Sequence, residues 1–279
     1  MPRKVACLLQ SDRYVDQALV RASGVVRSRG LRGSVIGRIV GTNQHFSSLV
    51  LSVVNVERRP GERHSNLDSA HAEIGDTGFW RAAVVASWID VVVACTARAS
   101  FSGAPMIATA WASAETAAWM TERHIVDADE AFVTALLAES GLAALTYALP
   151  DVYSALAANR TSRMIHEFEA ESLGFDHGAV GEALLSLYGF PESIAEFARV
   201  HESNPLFMKM DQKLFRAALT AVAAVGGNMG FATATPDLDE LTLEGALLKL
   251  SDKPEVLSYA ADKLRVGLSL RAGPDARAA

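Results

Sequence analysis

Imidazole and carboxylate groups are the most versatile chemical groups in this chain, and three of them lie where apolar periodicity aims them inward. His177 shares a helical stripe with Val180 and Leu184, and His201 shares one with Ile194, Phe197 and Ala198. Glu139 lies on one face with Phe132, Ala135 and Leu136, and Glu202 follows His201 directly. If the segments that carry them pack together, Glu139, His177 and His201 meet, with Glu202 at the edge. Such a group has two uses. A His–Glu hydrogen bond satisfies buried polar groups unaided. The same donors suit a divalent cation that polarises phosphate and activates water. The hydrogen-bonded arrangement is the expectation, with no metal and no cofactor.

Other reactive side chains offer less. His45, His64 and His71 fall in or beside polar loops, His124 in a connector and His166 on the acidic stretch HEFEAE, where a solvated side chain is expected. Ser113 and Ser140 have no neighbouring His to act as base. Ser140-Gly141 lacks the strand–turn–helix setting of a nucleophile elbow. GGNMG, Gly226 to Gly230, is followed by no Lys-Ser/Thr and reads as a helix terminator rather than a phosphate loop. Cys7 and Cys95 form no motif and are expected as reduced thiols. Trp80, Trp88, Trp111 and Trp119 recur at helical spacing and read as core or interface anchors.

The elements that must position these groups are helical nearly throughout. In DHGAVGEALLSLYGFPESIAEFARVHE, Val180, Ala183, Leu184, Leu187 and Tyr188 form one apolar stripe. Gly189 then suits a C-cap with positive φ, and Pro191 opens a second helix with Glu192 in its first turn. Further helices are predicted over 34–40, 47–55, 79–96, 106–122, 128–149, 162–173, 212–225, 242–248 and 254–266. Asp127 or Asp129 caps the helix that carries Glu139. GTNQHF, ERRPGERHSN, ALPDVY and GGNMGFATATPD read as links, and RAGPDARAA as a frayed tail.

Half of the 279 residues are apolar, which suits a globular chain. The most apolar window, Ala82 to Ala97, contains Asp90 and falls short of the about 20 residues that span a bilayer. MPRKVACLL lacks the length and cleavage site of a signal peptide. A cytoplasmic location without membrane attachment is therefore expected. Net charge is −6, but it is unevenly spread. Residues 1–64 hold eleven Lys/Arg against four acids, and the remainder holds fifteen against twenty-eight. Arg27, Arg29 and Arg32 are candidate anion-binding residues. No aromatic residues interleave with them as stacking platforms would require, so nucleic acid is not the expected partner. The alternatives are solvated faces, or attraction between the two ends of the chain.

The order of these segments resembles the HDOD (HD-related output domain) family over about residues 20–215. VIGRIVGTNQHFSSLVLSVVN resembles its early helices, which close on an Asn, here Asn55. AHAEIGDTGFWRAA carries Ile74-Gly75 where the family has Leu-Gly, and WASAETAAWM carries Trp111 and Ser113 of its Trp-x-x-Ser helix. DEAFVTALLAESGLAAL resembles the segment that ends Leu-Leu-His-Asp-Ile-Gly. The long hairpin holds His177, Gly181, Leu184, Leu185, Pro191 and His201 in place. The resemblance implies an all-α, multi-helix HD-like bundle with an N-terminal helical lobe at about 1–105 and an HD-like lobe at about 106–215. Helices of 216–270 would pack on it, before a flexible tail at 271–279.

The resemblance also shows what is missing. HD phosphohydrolases hold a metal through a His from one helix, a His-Asp pair from another and a further Asp. Here the first position is Ala112, and the pair is Ala138-Glu139. A methyl group donates nothing to a metal. Ala112, Ala138, Glu139, His177, His201 and Glu202 thus read as a remnant pocket. The implied role is a non-catalytic bacterial signal-transduction or regulatory module that binds a protein partner, a small ligand or a nucleotide. Two alternatives stand beside it: a metal-dependent HD-type phosphohydrolase with a degenerate site, and a nucleotide or nucleic-acid binder that uses the basic N-terminal lobe.

Overall fold

The computed structural model describes residues 1–121, 126–159, 165, 168–203, 205–226 and 252–270. His124, His166, the helix predicted at 242–248, GGNMG beyond Gly226 and the tail at 271–279 lie outside them. The described residues form helices and no strand, so the chain is all-α.

Two helices not predicted open the chain, α1 (Pro2–Ser11) and α2 (Arg13–Arg27). Asp12 separates them, and its carboxylate accepts from the Tyr14 and Val15 amides to cap α2. Val15, Ala18, Leu19, Ala22 and Val26 make the buried stripe of α2. The basic residues between them had masked this pattern in the sequence. α3 (Gly33–Gly41) and α4 (Gln44–Val54) follow, the latter capped by Asn43.

α5 (Leu67–Thr96) starts twelve residues before the predicted boundary, at an Asn66 cap. It is broken at Gly75, where φ 70° and ψ 179° lie in a region that only glycine occupies without strain. Beyond the break α5 is buried on nearly every side, and α2, α3 and α4 pack around it. It is long and apolar enough to cross a membrane, as is the Ala128–Ala148 stretch, but their most apolar windows are 83% and 89% buried. Both are core helices of the fold.

α6 (Ala104–Met120) is the second organising helix. α7 (Ala128–Leu137) packs on it after an Asp127 cap, and the predicted 128–149 helix then breaks at Ala138-Glu139 before α8 (Ser140–Ala148). The predicted link ALPDVY is instead the start of α9 (Pro150–Asn159). A single π turn, Glu169–Leu173, leads to α10 (His177–Leu187) and α11 (Glu192–Val200), the hairpin read from the sequence, with Gly189 at φ 70° between them. α12 (Met210–Gly226) and α13 (Lys253–Gly267) complete the described chain and pack on α6 and on each other. α1 packs on α8 and α10, so the first helix of the predicted N-terminal lobe sits on the HD-like one.

Trp80, Trp88 and Trp111 are buried, and Trp80 Nε1 donates to the Val25 carbonyl at 2.9 Å. Trp119 stacks on Tyr259 at 4.7 Å between centroids and ties α6 to α13. Each such aromatic, once buried, contributes about 1.5–3 kcal/mol by removing apolar surface from water.

Candidate functional site

The break between α7 and α8 creates the site. Ala138 keeps helical dihedrals as the last residue of α7, while Glu139 turns to φ −89°, ψ 20° at the start of α8. Adjacent residues therefore part company. Ala138 enters an apolar layer with Ala112, Phe197, Phe215 and Leu219, and Glu139 faces the histidines. α10 delivers His177 as its first residue, after the Asp176 cap, and α11 delivers His201 and Glu202 at its end.

The predicted meeting of Glu139, His177 and His201, with Glu202 beside them, is what the packing produces. His177 Nε2 lies 3.3 Å from His201 Nε2, 3.6 Å from Glu139 Oε2 and 3.5 Å from Glu202 Oε2. His201 Nε2 lies 3.5 Å from Glu139 Oε1. Both imidazoles are 1% exposed.

A residue missed in the sequence sets the geometry. Glu169 belongs to the HEFEAE stretch read as an acidic surface, yet it is fully buried. One carboxylate oxygen accepts from His177 Nδ1 at 2.7 Å and from the His177 amide at 2.9 Å, and the other accepts from the Tyr153 hydroxyl at 2.8 Å. On the other side His201 Nδ1 donates to the Ala198 carbonyl at 2.9 Å. A carbonyl can only accept, so Nδ1 of His201 carries a proton and Nε2 is the ring nitrogen that faces the centre. Arg216, also buried, donates to the His201 carbonyl. The π turn that aims Glu169 inward has a wider period than an α-helix, so no 3.6-residue pattern marks it.

Burial alone would lower the His177 imidazole, but Glu202, Glu169 and Glu139 lift it to about 10. Burial would raise the Glu139 carboxyl, and the His201 and His177 imidazoles outweigh this to hold it below its ordinary value. Without metal the group is thus a buried imidazolium among carboxylates.

The donors also suit a cation. Ligands placed about 2.1 Å from a tetrahedral ion lie roughly 3.4 Å apart, close to the separations between His177 Nε2 and the donors around it. One donor atom from each of Glu139, His177 and His201 falls within a mutual 4.8 Å. A carboxylate behind a ligating His, as Glu169 stands behind His177, is the usual outer partner of a metal site. The loss of imidazole at positions 112 and 138 therefore does not strip this pocket of donors.

The other residues singled out in the sequence lie elsewhere. Arg29 pairs with Asp127 and, at 3.6 Å, with Asp129, while Arg27 Nε donates to the Ser23 carbonyl at 3.4 Å. Both line a cavity of about 310 Å³ beside Asp129 and Glu130, whereas Arg32 sits apart at the start of α3. Arg21 pairs with Asp90, and Arg58 with Glu73 at 2.5 Å. Three of the eleven basic residues of 1–64 thus meet acids from the later part of the chain. His64 and His71, expected to be solvated, face Glu73 at 3.2 Å and Asp76 at 2.6 Å. His45, exposed, lies 3.5 Å from Asp90.

An all-α bundle with this hairpin, and with buried His and Glu side chains between its helices, defines an HD-like protein. The HDOD domain family matches residues 15–204, and the chain belongs to that family. Two solved structures share the fold. A presumed phosphohydrolase from Shewanella amazonensis SB2B is 14% identical, with 96% of this chain and 98% of that one covered and a TM-score of 0.72. An HDOD domain protein of unknown function from Geobacter sulfurreducens is 15% identical, with 95% and 91% covered and a TM-score of 0.67. At these identities the likeness is one of fold. No curated protein matches.

Proposed function

We propose that this HDOD protein is a non-hydrolytic regulatory module of bacterial signal transduction that acts by binding a protein partner or a small ligand. The observation that carries this reading is the burial of Ala112 and Ala138, 0% and 1% exposed, in a layer with Phe197, Phe215 and Leu219. Where the HD phosphohydrolases that the chain resembles carry two of their metal-ligating histidines, this chain places packed hydrocarbon.

The convergent donors favour one second reading, a metal-dependent phosphohydrolase. Purified protein loaded in turn with Mn²⁺, Fe²⁺ and Zn²⁺ separates the two when assayed on phosphomonoesters, phosphodiesters and cyclic dinucleotides. The regulatory reading expects no turnover above that of the His177→Ala variant, whether or not metal binds. Metal-dependent turnover that disappears in His177→Ala would overturn it. The nucleic-acid alternative has less support, because Arg29 is already paired; it requires binding that weakens steeply with salt.

A further inference from the structure

A second cavity, of about 280 Å³, opens where α4, α5, α6 and α13 come together, and none of its lining residues belongs to the His–Glu group. Branched aliphatic side chains, among them Val53, Val56 and Ile74, line one part of it. Glu57, Arg81, Glu115 and Lys263 supply the polar part. The break at Gly75 falls between two lining residues, Ile74 and Gly78, so the kink of α5 shapes this wall. A side chain at position 78 would begin 3.0 Å from Ile74 Cβ.

The four charges are not equally engaged. Lys263 Nζ and Glu57 Oε1 are 2.7 Å apart and neutralise each other. Arg81 spends Nε on Asp129 at 2.7 Å, with its guanidinium over the Phe132 ring. Among the described residues neither terminal nitrogen of Arg81 makes a hydrogen bond. Glu115, largely buried, has no hydrogen bond or ion pair among them either. Burial, with Glu57 nearby, holds its carboxyl above the ordinary value, although Lys263 and Arg81 pull it down. A carboxylate taken from water without a partner is costly. Here it shares a cavity with an arginine edge that is still free to donate.

One small molecule with an anion and a cation on neighbouring carbons answers both groups. We propose that this cavity binds a free α-amino acid with a short apolar side chain. Its carboxylate meets the terminal nitrogens of Arg81, its ammonium meets Glu115, and its side chain lies against Val53, Val56 and Ile74. Guanidinium–carboxylate pairing is geometrically specific, and apolar walls with a few convergent polar groups are the usual build of a small-ligand site. The inference is independent of whether Glu139 and its neighbours hold a cation. It gives a regulatory module a chemical signal to sense.

The test is calorimetric titration of the full chain with L-leucine, and with two analogues that each lack one charge, 4-methylpentanoate and 3-methylbutylamine. L-Leucine is expected to bind, and each analogue to bind at least about tenfold more weakly. Glu115→Gln keeps the shape and removes the charge. It is expected to weaken L-leucine by about tenfold or more while leaving 4-methylpentanoate no weaker. The comparison of analogues on the unaltered protein needs no variant to fold. Absence of binding by L-leucine, L-valine and L-phenylalanine at about 10 mM would overturn the proposal. So would equal affinity for leucine and its carboxylate analogue, or leucine affinity unchanged by Glu115→Gln.

Discussion

Glu169 takes three donors, from Tyr153 and twice from His177, in a position closed to solvent. A carboxylate has acceptor sites for all of them, whereas an amide turns its NH₂ group toward one donor set. Glu169→Gln is therefore expected to lower the unfolding free energy by about 2–4 kcal/mol in urea titration; a loss within error would mean that these bonds carry little. His177 makes a further prediction. Its ordinary value is 6.5 and its folded value is raised to about 10. Below 6.5 both states hold the proton and the contribution is fully present. Between 6.5 and about 10 the unfolded chain releases the proton and the folded chain keeps it, so stability falls as pH rises. Chelator-treated protein should show that decline in unfolding free energy, and His177→Gln should flatten it. The histidines and Glu139 were legible because each interrupts an apolar stripe. Glu169 was not, because its inward direction comes from a π turn and its neighbours in sequence are acidic.

Helix contacts explain why these side chains reach one point. A Cβ at Gly141 would lie 1.8 Å from the His177 carbonyl oxygen and 2.5 Å from the Gly181 amide. α8 and α10 thus touch backbone to backbone beside the site, which only a residue without a side chain permits. Gly141→Ala must drive the two helices apart. Overpacking of this kind costs about 1–3 kcal/mol and, against rigid backbone, more. Thermal unfolding should show the loss, and the His177 and His201 imidazole resonances should shift with it; a variant as stable as the parent would contradict the close crossing. The Ser140-Gly141 pair examined as a possible nucleophile elbow is thus a helix crossing. The predicted single helix over 128–149 failed for a related reason. Its apolar residues continue in period across Ala138-Glu139, but one non-helical turn sends those two side chains to different neighbours.

Across the whole molecule, charge and burial are organised by contacts distant in sequence. Arg21–Asp90, Arg58–Glu73 and Arg29–Asp127 join the basic first 64 residues to the acidic remainder, so three of the eleven basic residues there are met by attraction within the chain. α1 reaches α10, which no local pattern announces. The two cysteines report on the same organisation. Cys7 is exposed, whereas Cys95 is buried and burial pushes its thiol up to about 12. Thiolate is the reactive form. Iodoacetamide is expected to modify Cys7 promptly in the native protein, and Cys95 only as fast as the molecule unfolds globally. Mass spectrometry over time distinguishes the two, and prompt labelling of Cys95 would show that α5 opens locally.

The amino-acid sequence by itself determined the helical class, the α10–α11 hairpin with its Gly189 turn, and the inward aim of Glu139, His177 and His201. Those features rest on periodicity and on the backbone preferences of glycine and proline, which act within a few residues. Tertiary structure alone decided that Glu169 and Arg216 belong to the site, that Ala112 and Ala138 are sealed in hydrocarbon, and that Arg81 and Glu115 share a cavity. Each of these depends on where separate helices cross, and a crossing is set by the fit of whole surfaces rather than by any one segment.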